Sequence, residues 1–225
     1  MKTLAIIPAR GGSKRIPDKN IKYFYGKPII AHSVCNALGS GLFDKVVVST
    51  DSLNIAETAK TYGNIDVFWR SKKDANDKSG ILDVVKNTLA CHNIYDLVCV
   101  ILATAPLITV NNLKQAKNLL IKHDFDSVLP VVKFEYPVGR GFKLSKNKAT
   151  MLFPKNYNKR SQDLPVVYHD AGQFYWIQSS KCIEKGRIFT NNTGYIEISS
   201  LQAQDIDTEE DWKLCEMKYR INNAY

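Results

Sequence analysis

The sequence predicts an α/β fold, with a mostly parallel sheet sandwiched between helices in three layers. Two observations carry that expectation. Short apolar runs alternate with helical-period segments from residue 4 to residue 132, the order that βαβ units impose. Several of the runs are continuously apolar, as in KVVVS at 45–49 and DLVCVIL at 96–102, which suits strands covered on both faces. With 225 residues and 44% hydrophobic content, the chain fits a single domain, 1–225.

The first run, 4–8, leads straight into Ala9, Arg10, Gly11, Gly12, Ser13, Lys14 and Arg15, then Asp18, Lys19 and Asn20. Glycines let backbone N–H groups turn toward a ligand with no Cβ in the way. Arg10, Lys14, Arg15 and Lys19 supply charge for phosphates, and Ser13 and Asn20 offer neutral hydrogen bonds to a ribose or base. The pattern is neither GxxxxGK[ST] nor GxGxxG.

Gly26-Lys27-Pro28 punctuates the chain. A helix follows, with Ile30, Val34, Ala37 and Leu38 on its buried stripe and His32 as a packing residue. The strand at 45–49 ends in Thr50-Asp51. Asp51 stands either at a ligand crevice or, with Ser52, as the N-cap of the next helix. A short strand at 66–69 runs into Arg70. The polar stretch Ser71, Lys72, Lys73, Asp77, Lys78 and Ser79 precedes a helix from 81, as an anion-facing or a solvated loop. The strand at 96–102 is the most apolar and is expected at the centre of the sheet. It runs into Ala103-Thr104-Ala105, small residues that let a substrate approach closely. A helix at 110–122 and a strand at 126–132 complete the repeat.

The rhythm breaks over 133–175, which is loop-rich, aromatic and basic. The segment reads as a lid or a subunit-contact arm. Gln162, His169, Asp170 and Gln173 concentrate polar groups before a strand at 174–177. Near the end, Thr208 and Asp211 form an N-cap pair for a last helix whose stripe is Trp212, Cys215 and Tyr219. Asp205 and Asp207 stand two apart on an extended segment, so both point to one side. Paired carboxylates repel unless a cation joins them, and oxygen ligands beside phosphates suit Mg²⁺.

The net charge of +9 favours anionic partners. Without a dense Lys/Arg block or RNP-type aromatics, nucleic acid is not the expected one. Five scattered cysteines with no CxxC point to reduced thiols and a cytoplasmic setting. No signal peptide is expected, and no window approaches the roughly 18 apolar residues of a membrane span.

A cationic loop, a carboxylate pair and a polar pocket together imply nucleotidyl transfer. An acceptor hydroxyl attacks an α-phosphate, pyrophosphate leaves, and the protein positions the groups and neutralises charge. No cysteine or histidine is set as a nucleophile. A non-catalytic nucleotide-binding protein is the reading from another class, and it would need no carboxylate pair.

IPARGGSKRIPDKN, VVVSTD, TAPL and QDIDTEEDW together resemble the CMP-sugar synthetases, cytidylyltransferases that activate sialic acids and related nonulosonic acids. The resemblance spans nearly the whole chain. RSQDLPVVYHDAGQFYW is similar to the branch that activates pseudaminic acid, a sugar used in flagellin glycosylation. The resemblance implies a Rossmann-like nucleotidyltransferase fold and Mg²⁺ as cofactor. It implies that Ala9, Arg10, Gly11, Gly12, Ser13, Lys14, Lys19 and Asn20 hold CTP, with Arg70 and Ser79 near the cytidine. Arg10, Lys14, Lys19 and Asp207 would act in catalysis. Asp205 and Asp207 would take the metal, and Gln162, His169, Asp170 and Gln173 would face the sugar. It further implies a homodimer in which the arm at 134–165 reaches the neighbouring subunit. Sialic acid members carry a QPTSPL element whose glutamine contacts the sugar; Leu102 stands there in this chain. Their asparagine-glycine is replaced by Ala171-Gly172. Both departures disfavour N-acetylneuraminate and suit a di-N-acetylated, 6-deoxy-type acid, with legionaminate, N-acetylneuraminate and 3-deoxy-octulosonate as the alternatives.

Overall fold

The computed structural model describes residues 1–71, 74, 80–91 and 95–223. The chain opens with β1 (Thr3–Pro8), a small hairpin of β2 (Tyr23–Phe24) and β3 (Lys27–Pro28), and α1 (Ile29–Gly39). Next come β4 (Lys45–Thr50), α2 (Leu53–Lys60), β5 (Asp66–Trp69), α3 (Ile81–Ala90), β6 (Leu97–Ile101), α4 (Val110–Lys122) and β7 (Ser127–Lys133). A second hairpin, β8 (Phe142–Ser145) with β9 (Lys148–Met151), precedes β10 (Tyr168–Asp170) and β11 (Phe174–Gln178). The chain closes with α5 (Ser179–Lys185), β12 (Thr193–Glu197) and α6 (Glu209–Asn222).

The main sheet follows the path β10-β7-β11-β6-β1-β4-β5, with β12 paired to β7. β6, β1, β4 and β5 run parallel, so the expected core of the sheet is present and β6 lies mid-sheet. The strand period of two sends alternate residues to opposite faces. Ala5 and Ile7 join α1, α2 and α4 in one buried cluster, while Leu4 and Ile6 join Val84, Val85 and Cys182 of α3 and α5 in another. These are the three layers.

The sheet departs from the simple βαβ reading on the far side of β6. β11 inserts antiparallel between β6 and β7, so those two consecutive strands do not touch. The strand expected at 126–132 is shifted one residue, to 127–133. Asp126 stays outside it because its buried carboxylate accepts hydrogen bonds from Lys185, Thr190 and Asn192. Residues 133–175 contain no long helix: the hairpin β8–β9 pairs only with itself, and its strands are almost entirely exposed.

The helix starts at α2 and α6 fit their expected chemistry. Ser52 caps α2 by accepting from Ile55 N–H. Thr208 and Asp211 form a reciprocal capping box on α6. His32 is a packing residue, buried against Phe24 and Tyr219 with its ring nitrogen on the Phe24 carbonyl. Trp212 and Cys215 of α6 bury against Ile16, Phe24, Leu107 and Ile206, which fastens the end of the chain to the first loop. All five cysteines are unpaired. Among the described residues no helix is long and apolar enough to cross a membrane.

Candidate active site

In the sheet order, the chain winds from β1 out to β4 and β5, then returns across β1 to β6. The carboxyl ends of β1 and β6 therefore part company and leave a crevice, the place where open α/β sheets bind ligands. A cleft of about 460 Å³ opens there. It is lined by Arg10, Ser13, Lys14, Arg15, Lys19 and Asn20 of the first loop, by Arg70 after β5, and by Leu102, Ala103 and Thr104 after β6.

The loop keeps its shape by contacts that a run of cations could not make alone. Gly11 N–H donates to Asp51 Oδ1 at 2.7 Å, so Asp51 braces the loop and the cap falls to Ser52. A Cβ on Gly11 would lie 3.3 Å from Ser52 Cβ, and Gly12 has φ of +69°, where only glycine is unstrained. Asn20 is buried, and its Nδ2 donates to the Arg10 carbonyl at 2.9 Å, closing the loop on itself. Arg70 donates to the Asp74 carbonyl, and burial lowers its pKa. Ser79, with Lys72, Lys73, Asp77 and Lys78, lies outside the described residues.

A second cleft, about 480 Å³, adjoins the first and is acidic. Asp170, Asp205, Asp207, Asp211 and Glu135 line it, with Lys133, His169, Gln204 and Lys218. Arg15 donates to Asp207 Oδ1 at 2.8 Å, Lys19 Nζ lies 3.7 Å from the same oxygen, and Lys19 also donates to the Ile206 carbonyl. The cationic loop and the carboxylate pair are thereby tied into one site. Burial, then the charge of Asp207, raises the Asp205 pKa. A carboxylate disfavoured in that way is stabilised by a cation, so this donor set fits a hard divalent ion with oxygen ligands. Among the described residues no cluster of three or more acidic, histidine or cysteine side chains forms a cage by itself, so phosphate oxygens and water would have to complete the shell.

The expected sugar-facing residues divide. His169 and Asp170 line the acidic cleft. Asp170 is fixed through both oxygens, accepting from Gly172 N–H at 2.8 Å and Tyr175 hydroxyl at 2.6 Å. Gln173 lines neither cleft: it is buried and donates to the Gln202 carbonyl. Gln162 sits in an exposed turn of the arm, also outside both clefts. Sequence reasoning missed Lys133, Tyr175 and Lys218. Lys218 left a signal, since it follows Cys215 by three on the buried stripe of α6.

The profile of the cytidylyltransferase family matches residues 4–219. The chain belongs to the cytidylyltransferase family. A pseudaminic acid cytidylyltransferase of Campylobacter jejuni is 42% identical over 99% of this chain and 98% of that protein. A Helicobacter pylori protein, named as pseudaminic acid cytidylyltransferase and UDP-2,4-diacetamido-2,4,6-trideoxy-beta-L-altropyranose hydrolase, is 35% identical over 92% of this chain and 40% of its own length. The N-acylneuraminate cytidylyltransferase A of Danio rerio is 34% identical over 95% of this chain and 50% of its own length. Among solved structures, a CMP:2-keto-3-deoxy-manno-octonic acid synthetase complexed with CTP superposes over the whole of both chains with a TM-score of 0.72 at 16% identity. A 4-diphosphocytidyl-2C-methyl-D-erythritol synthase of Anaerococcus prevotii gives 0.67 at 13% identity over 97% and 98% of the two chains. These distant structures speak for the fold alone.

Proposed function

We propose that this cytidylyltransferase joins CTP to pseudaminic acid, giving CMP-pseudaminic acid and pyrophosphate by in-line attack of the sugar's anomeric hydroxyl on the α-phosphate. The observation that carries the reading is the junction of the two clefts. A cationic cleft of triphosphate character meets an acidic cleft at the Arg15–Asp207 contact, so donor and acceptor would meet at one point. The name and near-complete coverage of the 42% identical Campylobacter relative support the choice of acid.

In this reading Arg10, Lys14 and Lys19 bind the polyphosphate and offset the charge that develops on departing pyrophosphate. The Gly11-Gly12 turn with Ser13 orients the phosphates, and Arg70, with Ser79, flanks the cytidine. Asn20 acts chiefly by holding the Arg10 backbone. His169 and Asp170 meet the sugar, Asp170 as an acceptor locked by Tyr175. Gln173 supports that wall from behind, and Gln162 belongs to the arm. Asp205 and Asp207 would hold a Mg²⁺, which would supply further charge neutralisation to the phosphates. Leu102 lines the cationic cleft and not the acidic one, so in this reading its apolar side chain meets the sugar where the two clefts join, which suits a sugar with a methyl where sialic acids carry hydroxyls. The arm at 134–165 would complete a homodimer.

The test is pyrophosphate release with Mg²⁺ and CTP, comparing pseudaminic, legionaminic and N-acetylneuraminic acids, with UTP as control. Release with CTP and pseudaminic acid above the other acids is expected. Equal turnover of pseudaminic and N-acetylneuraminic acids would remove the assignment of the acid but keep the transfer.

A further inference from the structure

The acidic cleft contains an ammonium that the fold half-buries and to which, among the described residues, it gives no anion. Lys218 lies on α6, three residues after the buried Cys215, and its side chain reaches back to the segment before Asp205. Its Nζ donates to the Ala203 carbonyl at 2.7 Å and to Gln204 Oε1 at 2.9 Å. Both acceptors are neutral. Among the described residues no carboxylate forms an ion pair with it, and Glu135 is felt only as a more distant charge. An ammonium has three donors, so one remains for the cleft.

That arrangement is costly for a structural lysine. Burial pushes its pKa down, and a charge withdrawn from water needs an opposite charge to recover the loss. A methionine would fill the same stripe position with less penalty. The cleft also poses a problem that this lysine solves. Five carboxylates line it, and they repel an acid that enters as an anion. The two lysines on its wall are Lys133, which is exposed, and Lys218, which is anchored.

We propose that Lys218 receives the carboxylate of the sugar acid. This rests on the reading of the acidic cleft as the sugar subsite. Through the Ala203 and Gln204 oxygens the same ammonium touches the segment that carries Asp205 and Asp207. Seating of the acid is thus coupled to the placement of the carboxylate pair.

The test compares pseudaminic acid with its C1 carboxamide as substrates of wild type, Lys218→Gln and Lys218→Arg. Gln keeps an N–H donor for the Ala203 carbonyl and removes the charge. Wild type is expected to prefer the acid over the carboxamide by at least tenfold in kcat/KM. Lys218→Gln is expected to lose that preference and to raise KM for the acid at least tenfold, with KM for CTP within twofold. Lys218→Arg is expected to retain a preference for the acid. The acid-to-carboxamide ratio does not depend on the fraction of enzyme that folds, so a destabilised variant still reports. Equal losses for acid and carboxamide in Lys218→Gln would make Lys218 a structural residue and overturn the proposal. A wild-type enzyme that releases no pyrophosphate with any nonulosonic acid would instead overturn the functional reading beneath it.

Discussion

Asp207 joins the two clefts through one side chain. It accepts from Arg15 and lies near Lys19, two cations that the sequence assigns to phosphate and not to a carboxylate. The Arg15 pair is exposed, with the Arg15 side chain 66% accessible, and the Lys19 contact is long at 3.7 Å, so neither adds much to stability. Asp207→Asn is therefore expected to shift unfolding by less than about 1 kcal/mol. Turnover should fall by about two orders of magnitude or more, because the change removes charge at the proposed junction of nucleotide and sugar sites. Thermal unfolding together with Mg²⁺-dependent pyrophosphate release checks both halves, and near-normal release would remove Asp207 from the mechanism. The loop cations and the paired aspartates were legible in the sequence because each is a local pattern. The role of Asp51 was not. It could equally cap α2 or face the crevice, and the choice depends on β4 lying beside β1, which brings Asp51 to Gly11 across 40 residues of chain.

At the scale of elements, the alternating strands and helices up to β7 were legible because their apolar periods are long and clean. The rest was hidden by length and pairing. α5 has seven residues, too few to display a helical period. In β12 the pattern TGYIE contains Gly194, where a Cβ would sit 2.3 Å from the Phe125 ring, so a packing demand overrides strand propensity. β11 reads as a strand, but its antiparallel place between β6 and β7 is a fact of pairing alone. These late elements are joined at Asp126, which binds Lys185 of α5 and Thr190 and Asn192 ahead of β12. Burial pushes the Asp126 carboxyl up, yet the hydrogen bonds from Lys185, Thr190 and Asn192 outweigh it and leave the pKa below its ordinary value. A depressed carboxyl stabilises the fold fully above its unfolded pKa, and the contribution is lost as pH falls through the folded value. Asp126→Asn is expected to lower stability at pH 7 by about 1–3 kcal/mol. The gap to wild type should close as the pH drops below about 4. Urea unfolding at pH 7 and pH 3 tests this, and a gap that does not narrow would place the loss in packing and not in charge.

For the molecule as a whole, the doubly wound half of the sheet makes the cationic crevice, and the antiparallel half makes the wall that carries Asp170. The β8–β9 hairpin belongs to neither. It makes no sheet contact outside itself; it exposes Phe142 and Leu144, with Leu144 76% accessible, and the segment after it exposes Leu152, Phe153 and Tyr157. Apolar surface gathered on one protruding element marks a contact between molecules, and Gln162, at the base of that arm, reaches neither cleft of its own chain. Both facts are met if the arm packs on a second copy. Wild type is then expected to sediment as a dimer at micromolar concentration. The double variant Leu144→Asp/Phe153→Asp should sediment as a monomer with unchanged far-ultraviolet circular dichroism, because neither side chain supports the core. Its KM for the sugar acid should rise more than its KM for CTP, since no residue of the arm lines the cationic cleft. A wild-type monomer with full turnover would mean that the arm serves some other contact and that Gln162 has no part in the sugar site.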